Sequence, residues 1–339
     1  MNSLLLNTQF HSGNTHLMRL GVGQARYAGR RAAARPVYGS RAGWGLLESC
    51  NTARAGVYGD LEHPRTPEGG TIVRLTSPSV ETILDGYRLG SDQGSVAFCA
   101  VTLVQGIDDQ GSLKRILVDT GHTGRRPVLD AALRQRGLTR DSIDVLVCTH
   151  AHWDHIENLD MFPGAEVILH PDERRYVRQP HRNDSGCPEW IDAVVSRYED
   201  RIRTAEEGTK LLPGVEVVAA PGHSAGTIAL AVATSDGIAV IAGDSIQNTT
   251  VAEQRRNSLV FWNERQANES VAKLVAIGDI IYPGHDLPFR MNPDGSTEYL
   301  HDFELTLTGV RPDQPGLTLT DPPFEPEIMV GIEEQRLPG

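Results

Sequence analysis

Long apolar runs are missing from this chain of 339 residues. No stretch approaches the roughly eighteen uninterrupted apolar residues that a spanning helix needs, so no transmembrane segment is expected. Clustered Lys and Arg are scarce as well. Thirty-two basic residues against 44 acidic ones leave a formal charge of −12, and a general nucleic-acid-binding surface needs the opposite balance. A nuclease is not thereby excluded, because metal ions can supply positive charge locally. The four cysteines, Cys50, Cys99, Cys148 and Cys187, are widely spaced and form no CxxC pair, the pattern of reduced thiols in a cytosolic protein. Cys148 lies in an apolar run, where a buried structural thiol is expected rather than a nucleophile.

Acid is absent from Met1 to Leu47, where the charges are Arg19, Arg26, Arg30, Arg31, Arg35 and Arg41. Such a start resembles a mitochondrial transit peptide. A basic tail, or an extension from an upstream start codon, has the same composition. The expected location is cytoplasmic, with mitochondrial targeting as the second reading. Order is expected to begin near Gly70, after LEHPRTPEGG. The chain therefore divides into a poorly ordered basic extension over 1–69, a folded domain over 70–305, and a proline-rich acidic tail over 306–339 that runs irregularly over the surface.

Within the domain, short β-branched runs alternate with helical stretches. SVAFCAVTLVQ, KRILVDTG, SIDVLVCTH and AEVILH read as strands, the third as one buried on both faces. RRPVLDAALRQRG reads as a helix with Val128, Ala131, Ala132 and Leu133 on one side and Gly137 at its end. Residues 171–210 are polar, breaker-rich at first and helical later. VEVVAAPGH, GTIALAVAT, GIAVIAGDS and DIIYPGH are four further strands, with an amphipathic helix from about Val251 to Ile277. Helices alternating with strands imply helices packed on sheets.

The densest chemistry lies in THAHWDH. His150 and His152 are two apart, so an extended backbone places them on one side. Asp154 and His155 follow and, after a turn, can reach a second ion. Zinc prefers imidazole nitrogen and carboxylate oxygen, and its catalytic sites keep a position open for water. Four ligand-type residues in six, straight after a buried strand, rarely arise from packing. The remaining ligands are expected from PGHSAGT (His223), AGDS (Asp244) and YPGH (His285), each just after an apolar strand. If those strands share an edge, the side chains converge there. His122, His170, His181 and His301 are read as ordinary surface or core histidines.

On these residues the chain resembles the metallo-β-lactamase-fold hydrolase superfamily across roughly residues 90–290. LVDTG, from Leu117 to Gly121, resembles the fold's early strand and turn, in which Asp119 supports the metal-binding loop. The resemblance implies an α/β architecture, an αββα sandwich of two mixed sheets with outer helices and the metals at one edge. It places a first zinc on His150, His152 and His223, a second on Asp154, His155 and His285, and Asp244 between them. True β-lactamases of the family lack that bridging Asp, so antibiotic hydrolysis is not expected. Two adjacent Zn²⁺ ions, or Mn²⁺ or Fe²⁺ on the same ligands, would turn a shared water into hydroxide and polarise the substrate. Asp154 is the candidate catalytic residue, orienting that water or protonating the leaving group.

Among subfamilies, glyoxalase II-like thioesterases resemble the chain in GDS but carry a helical C-terminal domain not evident here. N-acyl homoserine lactonases share the seven ligands but usually have a Tyr three residues after the bridging Asp. Here that position is Gln247, and Tyr282 is a candidate substitute. The subgroup called metallo-β-lactamase domain-containing protein 1 is resembled in AVTLVQG, ILVDTG, ENLDMFPGAEVIL and DIIYPGHDLPFRM. The expected function is hydrolysis of a small ester, lactone, thioester or amide, with a metal-dependent phosphodiesterase or RNA-processing nuclease as the alternative. The expected partner is a small-molecule substrate, with a homodimer compatible and no membrane. Tyr176, Trp190 and Tyr198 in the 171–210 segment, together with Phe261 and Trp262, are candidates for a lid or substrate wall, and Trp153 for either the substrate face or an anchor of the loop.

Overall fold

The computed structural model describes residues 77–310, 313 and 316–322. The basic extension expected over 1–69, with Cys50, lies outside them, as does most of the tail. Two mixed sheets organise the rest. The first runs, in spatial order, Ser79–Leu84, Val101–Ile107, Leu113–Val118, Val145–Val147, Glu166–Leu169 and Ile202–Thr204. Its first three strands pair antiparallel and its last four pair parallel. The second runs Thr297–Tyr299, Phe289–Met291, Ile280–Pro283, Gly237–Gly243, Ile228–Thr234, Val215–Ala219 and Lys210–Leu212. Only its pairing of Gly237–Gly243 with Ile280–Pro283 is parallel.

Side chains alternate across a strand, so each sheet has two apolar faces to cover. Ile116, Val118, Val147 and Ile168 from the first sheet pack against Val217, Leu230, Val232 and Ile241 from the second. Their neighbours Leu117, Leu146, Val167 and Leu169 point the other way, onto Leu129, Leu133, Ile156, Phe162 and Ile191. On the far side, Val218, Val240 and Ile281 bury against Val251, Val271, Leu274 and Val275 of the helices Thr249–Gln254 and Glu264–Ile277. Helix, sheet, sheet, helix is the expected layering. Among the described residues no helix is long and apolar enough to cross a membrane.

Several local expectations are corrected. SVAFCAVTLVQ is two strands: Gly94–Phe98 pairs with Tyr87–Ser91 in a separate hairpin, and Val101–Ile107 enters the first sheet. The helix Arg126–Gln135 buries Leu129, Ala132 and Leu133, while Val128 is 55% exposed and Ala131 only half-buried. The helix expected over 251–277 is two, broken at Arg255, whose φ of 55° is left-handed. Asn248 and Asn263 start them, each accepting a backbone N–H from three residues on. Ile202–Thr204, inside a stretch read as helical, is the edge strand of the first sheet. In the segment read as an irregular tail, Leu305–Leu307 pairs antiparallel with Leu317–Leu319.

Candidate metal centre

Topology sets the meeting point. Val118 lies in register with Val147, so the residues that follow, Asp119 and Cys148–Thr149, leave the first sheet side by side. In the second sheet Gly243 lies opposite Pro283, which brings Asp244 beside Gly284 and His285. Val215–Ala219 runs in the same direction as Gly237–Gly243, because two antiparallel pairings separate them, and it delivers His223 to the same edge. The amide of Ile228 donates to the carbonyl of Thr149 at 2.8 Å and that of Ala100 to Gly284 at 2.7 Å, joining the sheets there.

All seven side chains singled out in the sequence converge at this edge and are buried. His152 is still extended, with ψ 149°, and the single helical turn Trp153–Ile156 follows it. That change of backbone separates His150 and His152 from Asp154 and His155. His150, His152, His223 and Asp244 offer four ligand atoms within 4.8 Å of one another, and Asp154, His155 and His285 offer three. Asp244 spans both groups. Its Oδ2 is 3.5 Å from Nε2 of His223, while its Oδ1 is 3.3 Å from Nε2 of His155 and 3.2 Å from Nε2 of His285. Oδ2 of Asp154 stands 3.7 Å from Nε2 of His155 and 3.5 Å from Nε2 of His285.

Burial and the neighbouring imidazoles hold His150 far below the usual histidine range, and burial brings His223 down to about 4. Both are neutral, which is the ligand form. Burial also opposes charge on Asp244, but His285 and His155 outweigh it and keep its carboxyl well below the usual range. For His285, burial is outweighed by Asp244, and the imidazole is raised.

The groups behind the candidate ligands fix their orientation. Nδ1 of His155 lies 2.8 Å from Oδ2 of Asp119, whose carboxylate also accepts the amide and hydroxyl of Thr149. Asp119 holds this place at φ 59°, a left-handed conformation that costs a residue other than glycine about 1–3 kcal/mol. Nδ1 of His223 donates to the carbonyl of Leu259 at 2.7 Å. Behind His152 stands Asp184, which the sequence did not disclose, with Oδ2 at 3.1 Å from Nε2. Glu173 was equally hidden. Its buried carboxylate accepts from the amides of Ala151 and Gly226 and the hydroxyl of Ser224, tying two ligand loops together. A lone acid in a charged, polar stretch carries no spacing signal, and burial is what distinguishes these two.

The aromatic candidates fare differently. The Tyr176 hydroxyl is buried on Asp184 at 2.7 Å, so it braces the site and forms no lid. Tyr282 packs between the sheets with its hydroxyl 3.4 Å from the carbonyl of Val80, and so offers no phenol to a substrate. Gln247 does reach the site, with Nε2 3.4 Å from Oδ2 of Asp244. Phe261 lies against the rings of His152 and His223, at 5.5 and 5.6 Å between centroids. Trp262 and Tyr198 are partly buried against the core, and Trp190 is exposed. Trp153 packs against the same core and against the ring of His122. Cys99, Cys148 and Cys187 are free and buried, and burial raises all three thiols, Cys99 to about 11.

Residues 94–303 match the family model of the metallo-β-lactamase superfamily. The chain belongs to that superfamily. It is 31% identical over 249 residues to metallo-β-lactamase domain-containing protein 1 of Xenopus laevis, which covers 71% of this chain and 94% of the relative. It is 32% identical over 111 residues to the N-acyl homoserine lactonase AiiB of Agrobacterium fabrum, covering 31% of this chain and 40% of that protein. Among solved structures, the hydrolase AbOPH of the β-lactamase superfamily superposes with a TM-score of 0.51 at 19% identity, covering 68% of this chain and 96% of AbOPH. The metallo-β-lactamase fold and the grouped His and Asp ligands make this chain a metal-dependent hydrolase of the superfamily.

Proposed function

We propose that the protein is a dinuclear zinc hydrolase acting on a small ester, lactone, thioester or amide. One observation carries this reading. Nε2 of His150, Nε2 of His155, Oδ2 of Asp154 and Oδ1 of Asp244 are all buried, and none has a well-aligned hydrogen-bond partner among the described residues. An unsatisfied buried polar group costs about 1–3 kcal/mol, so four in one place call for a common partner. Imidazole and carboxylate atoms that face one another across a few ångströms suit a divalent cation.

His150, His152 and His223 would hold one ion, Asp154, His155 and His285 the other, and the two oxygens of Asp244 would serve one each. When bound, such ions lower the pKa of a shared water toward neutrality and polarise a carbonyl oxygen; Mn²⁺ or Fe²⁺ suits the same donors. The rest falls to the chain. Asp154 turns Oδ2 toward His155 and His285, and to its Oδ1 we assign the positioning of the attacking water and the return of its proton to the leaving group. Phe261 gives the His152–His223 side of the site an apolar surface that limits water. The name of AiiB supports the inclusion of lactones, and Gln247 in place of a tyrosine leaves the substrate oxygen without a phenol at that position.

The test is a panel on zinc-loaded protein: an aryl ester, short and long acyl lactones, S-lactoylglutathione, bis-p-nitrophenyl phosphate and single-stranded RNA. Turnover of carbonyl substrates is expected, lost on chelation and restored by Zn²⁺ or Mn²⁺. Turnover confined to the phosphate substrates would replace this reading with that of a phosphodiesterase, and activity that survives complete metal removal would end it.

A further inference from the structure

We propose that Asp184 is a positioning residue that fixes the atom through which His152 meets a metal ion, and so sets the zinc affinity of the His150–His152–His223 group. The inference rests on the dinuclear reading above and deepens it. It also gives the 171–210 segment a role other than that of a lid.

Oδ2 of Asp184 lies 3.1 Å from Nε2 of His152 and accepts the Tyr176 hydroxyl at 2.7 Å. Its Oδ1 accepts the amides of Gly186 at 2.9 Å and Cys187 at 3.1 Å. An ionised carboxylate only accepts, so Nε2 of His152 carries a proton; in the neutral imidazole, the form that binds metal, Nδ1 is then the lone pair. That Nδ1 stands 3.1 Å from Nε2 of His223. His223 is committed the same way, because its Nδ1 donates to the Leu259 carbonyl and leaves Nε2 as an acceptor. With both rings neutral, two nitrogen lone pairs face each other, an arrangement that a shared cation suits. A tetrahedral zinc with bonds of about 2.0–2.1 Å spaces two such nitrogens about 3.3 Å apart. A carboxylate behind a ligating imidazole fixes its tautomer and raises its basicity.

The same turn holds the ring in place. A Cβ on Gly186 would come within 2.6 Å of Nδ1 of His152, so only glycine lets the backbone lie on the imidazole at this distance. The Gly186 carbonyl then accepts the Trp153 amide at 2.9 Å. The short helix Pro171–Tyr176 anchors the turn through Tyr176, and its Glu173 grips the loops bearing His152 and His223. Carboxylate, ring contact and anchor thus all come from residues 171–187.

Zinc affinity of the full chain would be measured by competition with a chromophoric chelator for the wild type, Asp184→Asn and Tyr176→Phe, with circular dichroism and melting of each metal-free protein alongside. The wild type is expected to bind two equivalents. Asp184→Asn is expected to weaken one of them about 10–100-fold and leave the other unchanged, in a protein that is folded without metal. Tyr176→Phe removes one hydrogen bond from Asp184 and is expected to weaken the same equivalent by less. In cobalt-substituted protein only the visible bands of that equivalent should shift. A wild type that binds no zinc defeats the dinuclear reading itself. Two equivalents unchanged in a folded Asp184→Asn, or both weakened alike, overturns the role of Asp184 alone. If Asp184→Asn does not fold, Tyr176→Phe decides: selective weakening supports the role, and unchanged affinity overturns it.

Discussion

A methyl group on Gly284 would stand 2.2 Å from Oδ1 of Asp244 and 2.9 Å from the carbonyl of Gly243. Neither neighbour can retreat, since Gly243 is held in the sheet and Asp244 is buried among imidazoles. Gly284→Ala should therefore displace the carboxylate that spans the two groups. A shift of about 1 Å in a reacting arrangement can cost about 100-fold, which is the loss in kcat/KM expected here, with fewer zinc equivalents retained. Gly164→Ala is the control, because a Cβ there meets nothing within 4 Å, and it should leave both measurements unchanged. Equal behaviour of the two variants would contradict the argument. At this scale the sequence was most legible where ligand types crowd together or follow strand ends, as His150 to His155, Asp244 and His285 do. It was least legible for Asp184, Glu173, Tyr176 and Tyr282. Residue type does not say which way a side chain faces, and an acid among other acids does not reveal that it is buried.

Elements were readable as far as their hydrophobic period was unambiguous. In RPVLDAALRQ two stripes compete, and the one beginning at Val128 is the wrong one. Packing selects Leu129, Ala132 and Leu133, which seal the outer face of the first sheet. Leu129→Ala should cost about 2–5 kcal/mol, and Val128→Ala should stay within about 0.5 kcal/mol, both read from urea unfolding midpoints. Comparable losses would mean that the helix is rotated from the position described. The break between Thr249–Gln254 and Glu264–Ile277 escaped the periodicity because Arg255, not Gly or Pro, takes the left-handed conformation. Its purpose is visible only in three dimensions. The connecting loop sends the Asn257 side chain to the carbonyls of Asp244 and Ser245, the Leu259 carbonyl to His223, and the Phe261 amide to the His223 carbonyl. A continuous helix would remove these supports. Ile202–Thr204 was hidden for a simpler reason: three residues among charged neighbours are too few to show a period of two.

For the molecule as a whole, the candidate ligands divide by sheet. His150, His152, Asp154 and His155 follow a strand of the first, and His223, Asp244 and His285 follow strands of the second. Bound ions would tie the two sheets together at the edge where few backbone hydrogen bonds cross. Metal loading should then stabilise the sandwich as a unit. A ligand free at 1,000 times its Kd stabilises the folded state by about 4 kcal/mol. In a domain of this size each kcal/mol moves Tm by about 2–4 °C. Chelated protein should consequently melt about 10 °C below zinc-loaded protein in scanning calorimetry. The gap should shrink in Asp244→Ala, because the carboxylate that reaches both groups is gone. An equal melting temperature with and without zinc would show that the two sheets hold this edge without metal. The buried atoms of His150, Asp154, His155 and Asp244 that have no well-aligned hydrogen bond among the described residues would then need another partner.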